Sequence, residues 1–253
     1  MISLNRLRTI RIATLMATVL IASGPIVANE LYVMTRVYQG QQTEPLEVHE
    51  IALVDGVFYD FPSNPDQPWT VFDLPQSRVV LLDRKHQQRT SLSTEDLIRI
   101  TAQADAAVTD PAVRRRFGMD AEVQQRRSDE FHLTYDQTRY QVQTAEPQES
   151  EWAIQYGQFV DWACRLNIAR PRGVPPFARM RINEVMTRQG VYPQRIEVEM
   201  TRHVGVEPTP VLVRLNSHTA FSSTINPETR KRIEEARSMR VLFTEIPWDE
   251  YEH

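Results

Sequence analysis

Two aspartates ten residues apart set the rhythm of the first third of the chain. In VFDLPQSRVVLL and LLDRKHQQRTSL, an apolar run leads to Asp73 or Asp83, then to about four turn-forming residues, and then to a further run typical of a strand. An aspartate favours the start of a turn because its carboxylate can accept a hydrogen bond from a backbone amide two residues further on. Short strands at this spacing predict an antiparallel meander of hairpins.

The polar run DRKHQ at 83–87 is therefore interpreted as a solvated hairpin turn between strands at 78–82 and 88–92. A catalytic role for His86 is the alternative. The meander extends back through strands predicted at 31–38, 46–54, 57–61 and 69–72. Asp55-Gly56 is a strong signal for a two-residue hairpin turn between the second and third of these.

After residue 92 the spacing of apolar residues becomes that of helices. Helices are predicted at 93–108, after Asp110-Pro111, and at 151–169, 177–189 and 227–239, with strands at 131–135, 139–144, 194–201, 211–216 and 241–246. This mixture predicts an α+β fold in which several helices pack on a curved antiparallel β-sheet. The Pro-rich loop at 170–176 is a candidate sub-boundary, but the strands on both sides of it favour one domain over residues 29–253.

The N-terminus has the order of parts of a secretory signal peptide. A basic start is followed by an apolar run at 12–22, by Gly24-Pro25, and by Ala28 at the position before cleavage. The apolar run is shorter than the ~20 residues of a spanning helix, which disfavours the alternative of a membrane anchor. We therefore expect cleavage of residues 1–28, a mature chain that begins at or near Asn29, and a periplasmic or secreted bacterial protein.

The charge of the chain bears on its partners. The leader carries three Arg residues and no acidic residue, so its removal makes the net charge of −4 more negative by three. The net charge of an acidic exported chain makes it a poor candidate for binding nucleic acid or anionic lipid headgroups. No second apolar segment reaches spanning length, so we expect no transmembrane segment in the mature chain.

The single cysteine, Cys164, allows two interpretations. It could be a catalytic thiol, or a small apolar residue of the core. It lies in a predicted helix beside the apolar face, and no histidine is near it in the sequence. This position favours core packing.

Searches for catalytic, nucleotide and metal motifs give no match. His49-Glu50 lacks the second histidine of a zinc-protease motif, and the spacing of His203, Glu207 and His218 does not by itself indicate a metal. Two further sets of residues keep weaker alternatives open. They are a hydrolase nucleophile and base among Ser217, His218, Ser222 and Ser223, and an anion site at Arg114, Arg115 and Arg116 with Arg126 and Arg127. A loop with a helix cap, and a solvated face of mixed charge, are the simpler interpretations. We therefore assign no catalytic, metal-binding or ligand-binding residue and expect no cofactor.

The segment VDGVFYDF…WTVFDLPQSRVVLLDRKHQQRTSL resembles, in its strand rhythm over residues 31–107, the periplasmic lipoprotein-localisation carriers and their relatives. The resemblance implies an incomplete barrel, a curved antiparallel sheet closed by helices that holds acyl chains on its concave side. The helix and Pro-rich loop within 131–190 depart from that pattern.

Three functions stay open at this point. The first is an exported binding protein that holds an apolar ligand, a lipid or an acylated partner such as a lipoprotein on the concave face of the sheet. The second is a non-enzymatic interaction or structural module of the cell envelope. The third is a hydrolase whose residues no motif marks. A carrier requires an apolar cavity of about 300–1,000 Å³, whereas a packed interior indicates the module and a polar cleft with converging carboxylates or histidines indicates the enzyme.

Overall fold

One twelve-stranded sheet organises the computed structural model, which describes residues 30–202 and 210–251. The first six strands are β1 (Leu31–Gln39), β2 (Glu47–Val54), β3 (Val57–Pro62), β4 (Trp69–Asp73), β5 (Arg78–Asp83) and β6 (Gln88–Ser93). The others are β7 (Val123–Arg127), β8 (Glu130–Tyr135), β9 (Thr138–Ala145), β10 (Tyr192–Arg202), β11 (Val211–Ser222) and β12 (Thr244–Glu245).

The sheet consists of two meanders that meet at β1. Its strand order is β12-β6-β5-β4-β3-β2-β1-β11-β10-β9-β8-β7, and every pair is antiparallel except β12 with β6. The register of the central pair brings Tyr32 opposite Ser222. The sheet does not close, since β12 and β7 lie at its two edges. The predicted α+β class, an antiparallel sheet packed by helices, is confirmed.

The two turns that repeat at ten residues share one geometry. Asp73 Oδ1 accepts from the amide three residues on at 3.2 Å, and Asp83 Oδ1 accepts from the amides two and three residues on at 2.9 and 3.1 Å. Each turn ends in a left-handed residue, Ser77 at φ 51° and Gln87 at φ 54°. The prediction that 83–87 is a hairpin turn is therefore confirmed.

The helices are α1 (Thr94–Ala107), α2 (Pro111–Arg116), α3 (Ser150–Ala169), α4 (Phe177–Gln189) and α5 (Pro227–Leu242), followed by a 3₁₀ turn at Trp248–Glu250. Ser93, Asp110 and Asn226 each cap a helix by accepting from one of its first free amides. Gly190 ends α4 in the left-handed conformation at φ 69°. These caps are why the sequence predicted the helix starts so closely.

Helices α1 and α3 cover one face of the β1–β6 half of the sheet, which is named the α3 face here. Phe159 of α3 lies at its centre, with ring centroids 5.6 Å from Phe58, 5.4 Å from Phe72 and 6.0 Å from Tyr156. These side chains belong to one cluster of buried residues that also includes Leu97 of α1. The space between the sheet and the middle of α3 is thus filled by aromatic rings.

Helix α5 covers the opposite face of the same strands. Only Ile233 and Ala236 of α5 join the buried cluster there, which is built mainly on sheet residues such as Tyr59 and Leu82. Arginines of α5 form ion pairs with sheet acids, for example Arg240 with Asp73 at 2.6 Å. Charged contacts therefore supplement a narrow apolar contact.

Helix α4 packs on the second meander through Ala178, Ile182 and Met186, against buried residues of β8, β9 and β10. Helices α3 and α4 lie between β9 and β10 in sequence, and these two strands pair directly. The Pro-rich loop at 170–176 therefore lies inside a connection of one sheet.

One strand was not predicted, and the predicted ends of one strand and one helix were wrong. Strand β7 lies at 123–127, within a region interpreted only as a charged face. Strand β11 runs on to Ser222, and α5 runs on to Leu242, which leaves Thr244–Glu245 of the strand predicted at 241–246. In each of these segments, polar and charged side chains interrupt the regular spacing of apolar residues from which strands and helices are predicted. The signal peptide predicted at 1–28, the predicted start of the mature chain at Asn29, and His203 and Glu207 lie outside the described residues.

Candidate functional site

The α3 face of the sheet turns polar beneath the C-terminal end of α3. Side chains alternate between the two faces along a strand, so Glu47 and His49 lie on the same face as the apolar Ile51. Ile51 pairs with Asp60, and Asp60 pairs with Thr70 on the next strand. Along these strands the α3 face of the sheet therefore changes from apolar side chains to two carboxylates and an imidazole.

His49 lies between the two carboxylates. Its Nδ1 is 2.8 Å from Asp60 Oδ1 and its Nε2 is 3.4 Å from Glu47 Oε1. Burial alone would lower the pKa of His49, but the two carboxylates outweigh burial and hold this pKa well above 6.5. The hydrogen bond from His49 in turn lowers the pKa of Glu47. The cluster is thus an imidazolium paired with two carboxylates.

A cleft of about 310 Å³ lies over this cluster, between the sheet and the end of α3. The sheet side presents the charged cluster with Gln67, whose amide donates to Glu47 at 2.5 Å. The helix side presents apolar and polar side chains, namely Ala163, Leu166, Asn167, Arg170 and Arg172. The cleft therefore has charged groups on opposite walls with apolar residues between them.

The two arginines of the helix side lack carboxylate partners within ion-pair distance among the described residues. Arg170 lies over the ring of Tyr251 at 5.1 Å, and its guanidinium also interacts with the Tyr251 hydroxyl. Burial lowers the pKa of Arg170, and the nearby charge of Arg172 adds to this effect. Arg172 is exposed, and its backbone amide donates to Asn167 Oδ1 at 2.8 Å. Two cations therefore face the cleft without a close ion pair, and the charge of Arg172 acts on Glu47 only from a longer distance, where it lowers the pKa of that carboxyl.

A second and more apolar cavity adjoins the cleft. This groove, of about 240 Å³, lies between the C-terminal ends of α1 and α3 and the Pro-rich loop. Its apolar lining comprises Ala104, Val108, Phe117, Ile168, Pro171, Val174, Pro175, Pro176 and Phe177. Asn167 and Arg172 line both cavities. The groove and the cleft thus meet at these two residues.

Cys164 lies in the buried cluster of the α3 face, with an exposed fraction of 7%. Burial raises the pKa of its thiol to about 11. A thiol held in its neutral form is a poor nucleophile. The interpretation of Cys164 as a core residue agrees with this position.

The other histidines and the serines are dispersed. His86 lies in its turn and bonds Asp83 Oδ2 at 2.7 Å. The ring of His218 packs edge-on against Tyr38 at 5.7 Å. Ser217 and His218 are neighbours on β11 and so point to opposite faces, and Ser222 Oγ bonds the backbone of Thr224. The loop predicted for the serines beside Thr224 was wrong for Ser222, which ends β11, whereas the predicted helix cap is present at Asn226.

The arginine-rich helix α2 has local acidic partners. Arg114 contacts Asp120 at 2.7 Å and Asp105 at 3.1 Å, as expected for a surface of mixed charge.

Glu50 lies on the α5 face of the sheet, where it accepts hydrogen bonds from Tyr32, Thr229 and Arg232. It therefore anchors α5, away from the cleft.

Within the described ranges, 30–202 and 210–251, no three His, Cys, Asp or Glu side chains are arranged to hold a metal ion. In the same ranges, no helix has both the length and the apolar character to cross a membrane.

No protein-family model matches the chain, and no curated protein is significantly similar to it.

The charged cluster predicts a dependence of stability on pH. A histidine whose pKa is raised on folding stabilises the protein fully below its unfolded pKa of about 6.5, and this contribution is lost as pH rises through the folded pKa. We expect the free energy of unfolding of the wild type to exceed that of His49→Gln most below about pH 6.5, and the difference to shrink at higher pH. Urea unfolding at a series of pH values measures it. A His218→Gln control, at a site without an ion pair among the described residues, should not reproduce this pattern. A wild-type advantage that grew with pH would contradict the assignment.

Proposed function

We propose that this chain is an exported, non-enzymatic binding protein that takes the apolar part of a ligand, such as an acyl chain, in the groove at the end of α3. The observation that carries the proposal is the apolar lining of this groove and its junction with a charged cleft. Pockets that bind small molecules combine an apolar wall with a few polar groups that fix orientation. The groove and cleft together have this composition.

The place of the ligand differs from the one that the lipoprotein-carrier resemblance implies. Aromatic rings around Phe159 fill the space under the middle of α3. The apolar volume lies instead between the ends of α1 and α3 and the Pro-rich loop. At about 240 Å³ the groove alone is smaller than the ~300–1,000 Å³ that a carrier requires, but together with the adjoining cleft of about 310 Å³ it reaches that range. The size of the groove suits a single alkyl chain better than a bulky ligand.

The charged cluster is not arranged as a hydrolase site. A general base needs a free ring nitrogen within hydrogen-bond reach of a nucleophile. In His49 both ring nitrogens face carboxylates, at 2.8 and 3.4 Å. A proton-accepting role would require His49 to leave both partners. The geometry therefore supports binding over hydrolysis.

The packed interior of the α3 face favours a second candidate, an interaction module of the cell envelope without a small ligand. Under that function the groove would not bind alkyl chains measurably. Titration with alkyl probes thus separates the two candidates.

We expect Val108→Glu to weaken the binding of a fluorescent dodecyl probe at least about tenfold, because a carboxylate in an apolar groove must lose solvation. Val108 lines the groove and is outside the three buried clusters, so the fold should persist. Fluorescence titration measures the affinity and a thermal melt checks folding. Val241→Glu is the matched control, because Val241 is 82% exposed on α5. Equal binding by the two variants, or no binding by the wild type, would contradict the proposal.

A further inference from the structure

The junction of groove and cleft carries two arginines that form no close ion pair with the protein's own carboxylates in the described ranges. Arg172 lines both cavities, and Arg170 lies close enough for their charges to interact. Neither guanidinium forms an ion pair with a carboxylate in the described part of the chain. The contacts of Arg170 include the ring and the hydroxyl of Tyr251, which carry no formal charge. An incoming oxyanion would therefore add charge-assisted hydrogen bonds to the two guanidinium groups.

The carboxylates of the cleft are in a different state. Glu47 and Asp60 face His49, and Glu47 also accepts from Gln67. The imidazolium partly compensates the negative charge of the two carboxylates. The same contacts fix the orientation of the two carboxylate groups. These contacts use Glu47 Oε1 and Asp60 Oδ1, so the second oxygen of each carboxylate remains an acceptor. The donors on the opposite wall of the cleft are the guanidinium N–H groups of Arg170 and Arg172. Planar guanidinium groups bind carboxylate and phosphate oxygens through paired hydrogen bonds.

We infer that the ligand is an anionic amphiphile, whose alkyl chain lies in the groove and whose oxyanion headgroup is bound by Arg172, with Arg170 behind it. This inference rests on the proposed function, since it names the chemistry of the other end of the same ligand. Asn167 and Arg172 line both cavities and lie where the apolar lining ends. They therefore set the orientation of the ligand, with its alkyl chain in the groove and its headgroup in the cleft. A neutral or cationic headgroup at this junction would leave the arginines unpaired.

The test compares four probes that share a dodecyl chain and differ in the headgroup: carboxylate, phosphate, hydroxyl and trimethylammonium. Affinity for the full mature chain is measured by displacement of the fluorescent probe at low and high salt. We expect the wild type to bind both anionic probes at least tenfold more tightly than the alcohol, with a preference that falls as salt rises because the arginine is exposed. Tighter binding of the carboxylate probe would indicate a fatty acid as the ligand, and tighter binding of the phosphate probe would indicate a phospholipid.

The variant Arg172→Gln should reduce the preference for anions over the alcohol at least tenfold, while its affinity for the alcohol stays unchanged. Arg172→Lys should retain part of the preference, since the charge remains and the paired geometry does not. Arg78→Gln, at an exposed arginine at the start of β5, is the matched control and should behave as the wild type.

The outcomes separate the two proposals. Binding of all four probes with equal affinity by the wild type, or an anion preference that survives in Arg172→Gln, would overturn the headgroup assignment and leave the groove as an alkyl site. Failure of every probe to bind would overturn the proposed function itself.

Discussion

Replacing Phe159 with alanine is expected to lower the free energy of unfolding by about 3–5 kcal/mol, as found for large aromatic residues removed from protein cores. The ring contacts Phe58, Phe72 and Tyr156 at once, so its loss leaves a cavity that no single neighbour can fill. Urea unfolding followed by tryptophan fluorescence measures the change. Ile154→Ala is a control on the same helix, at a side chain that is 47% exposed.

The result bears on function as well as stability. A loss of less than about 1 kcal/mol would mean that the aromatic rings do not fill the space under α3, and would restore the concave face as a place for a ligand. The full loss is expected if this face is a packed core. Binding of the dodecyl probe in the groove should survive in Phe159→Ala protein that remains folded.

Leu82→Ala is expected to cost about 2–5 kcal/mol, a large part of the roughly 5–15 kcal/mol by which a domain is stable. Leu82 is fully buried in the cluster under α5, and Leu81 is almost fully buried on the opposite face. Both leucines of this strand therefore contribute to a core. Thermal and urea unfolding of the single variants measure the two costs.

The adjacent turn supplies the contrasting experiment. Replacing Lys85 by Asn and His86 by Gly should leave the fold intact, because exposed charges contribute well under ~1 kcal/mol each. The double variant loses the contact from the exposed ring of His86 to Asp83, and keeps Gln87 in the left-handed position that the turn requires. An unfolded turn variant beside stable leucine variants would be inconsistent with the meander.

The turns and helix ends could be predicted because their causes are local. Asp73 and Asp83 bond amides within three residues, and Asn226 caps α5 in the same way. Strand β7 was missed because four of its five residues are exposed, which removes the alternation that marks a half-buried strand. The extension of α5 to Leu242 was missed because Val241 and Leu242 were interpreted as the start of an apolar strand. Both side chains are instead exposed at the end of the helix.

Half of the candidate site could have been found from the sequence. Counting outward from the Asp55-Gly56 turn pairs Ile51 with Asp60, which places His49 diagonally next to that aspartate on one face. The positions of Arg170 and Arg172 could not have been predicted from the sequence. They depend on how α3 packs on the sheet and on the path of the loop that follows it. No short-range pattern carries that information.

The pairing of β1 with β11 has a consequence for how the chain reaches its folded state. The first strand of the described chain is central to the sheet, and the partner on one of its sides lies about 180 residues later, as in the contact of Thr35 with Thr219. A chain delivered from its N-terminus can form the β1–β6 meander early, but one long edge of β1 stays unpaired until almost all of the remaining residues have followed. Contacts so distant in sequence slow folding, and an unpaired strand edge invites association with other chains. During synthesis this edge of β1 therefore stays open until β11 has been made, and a factor that covers the edge would act in that interval.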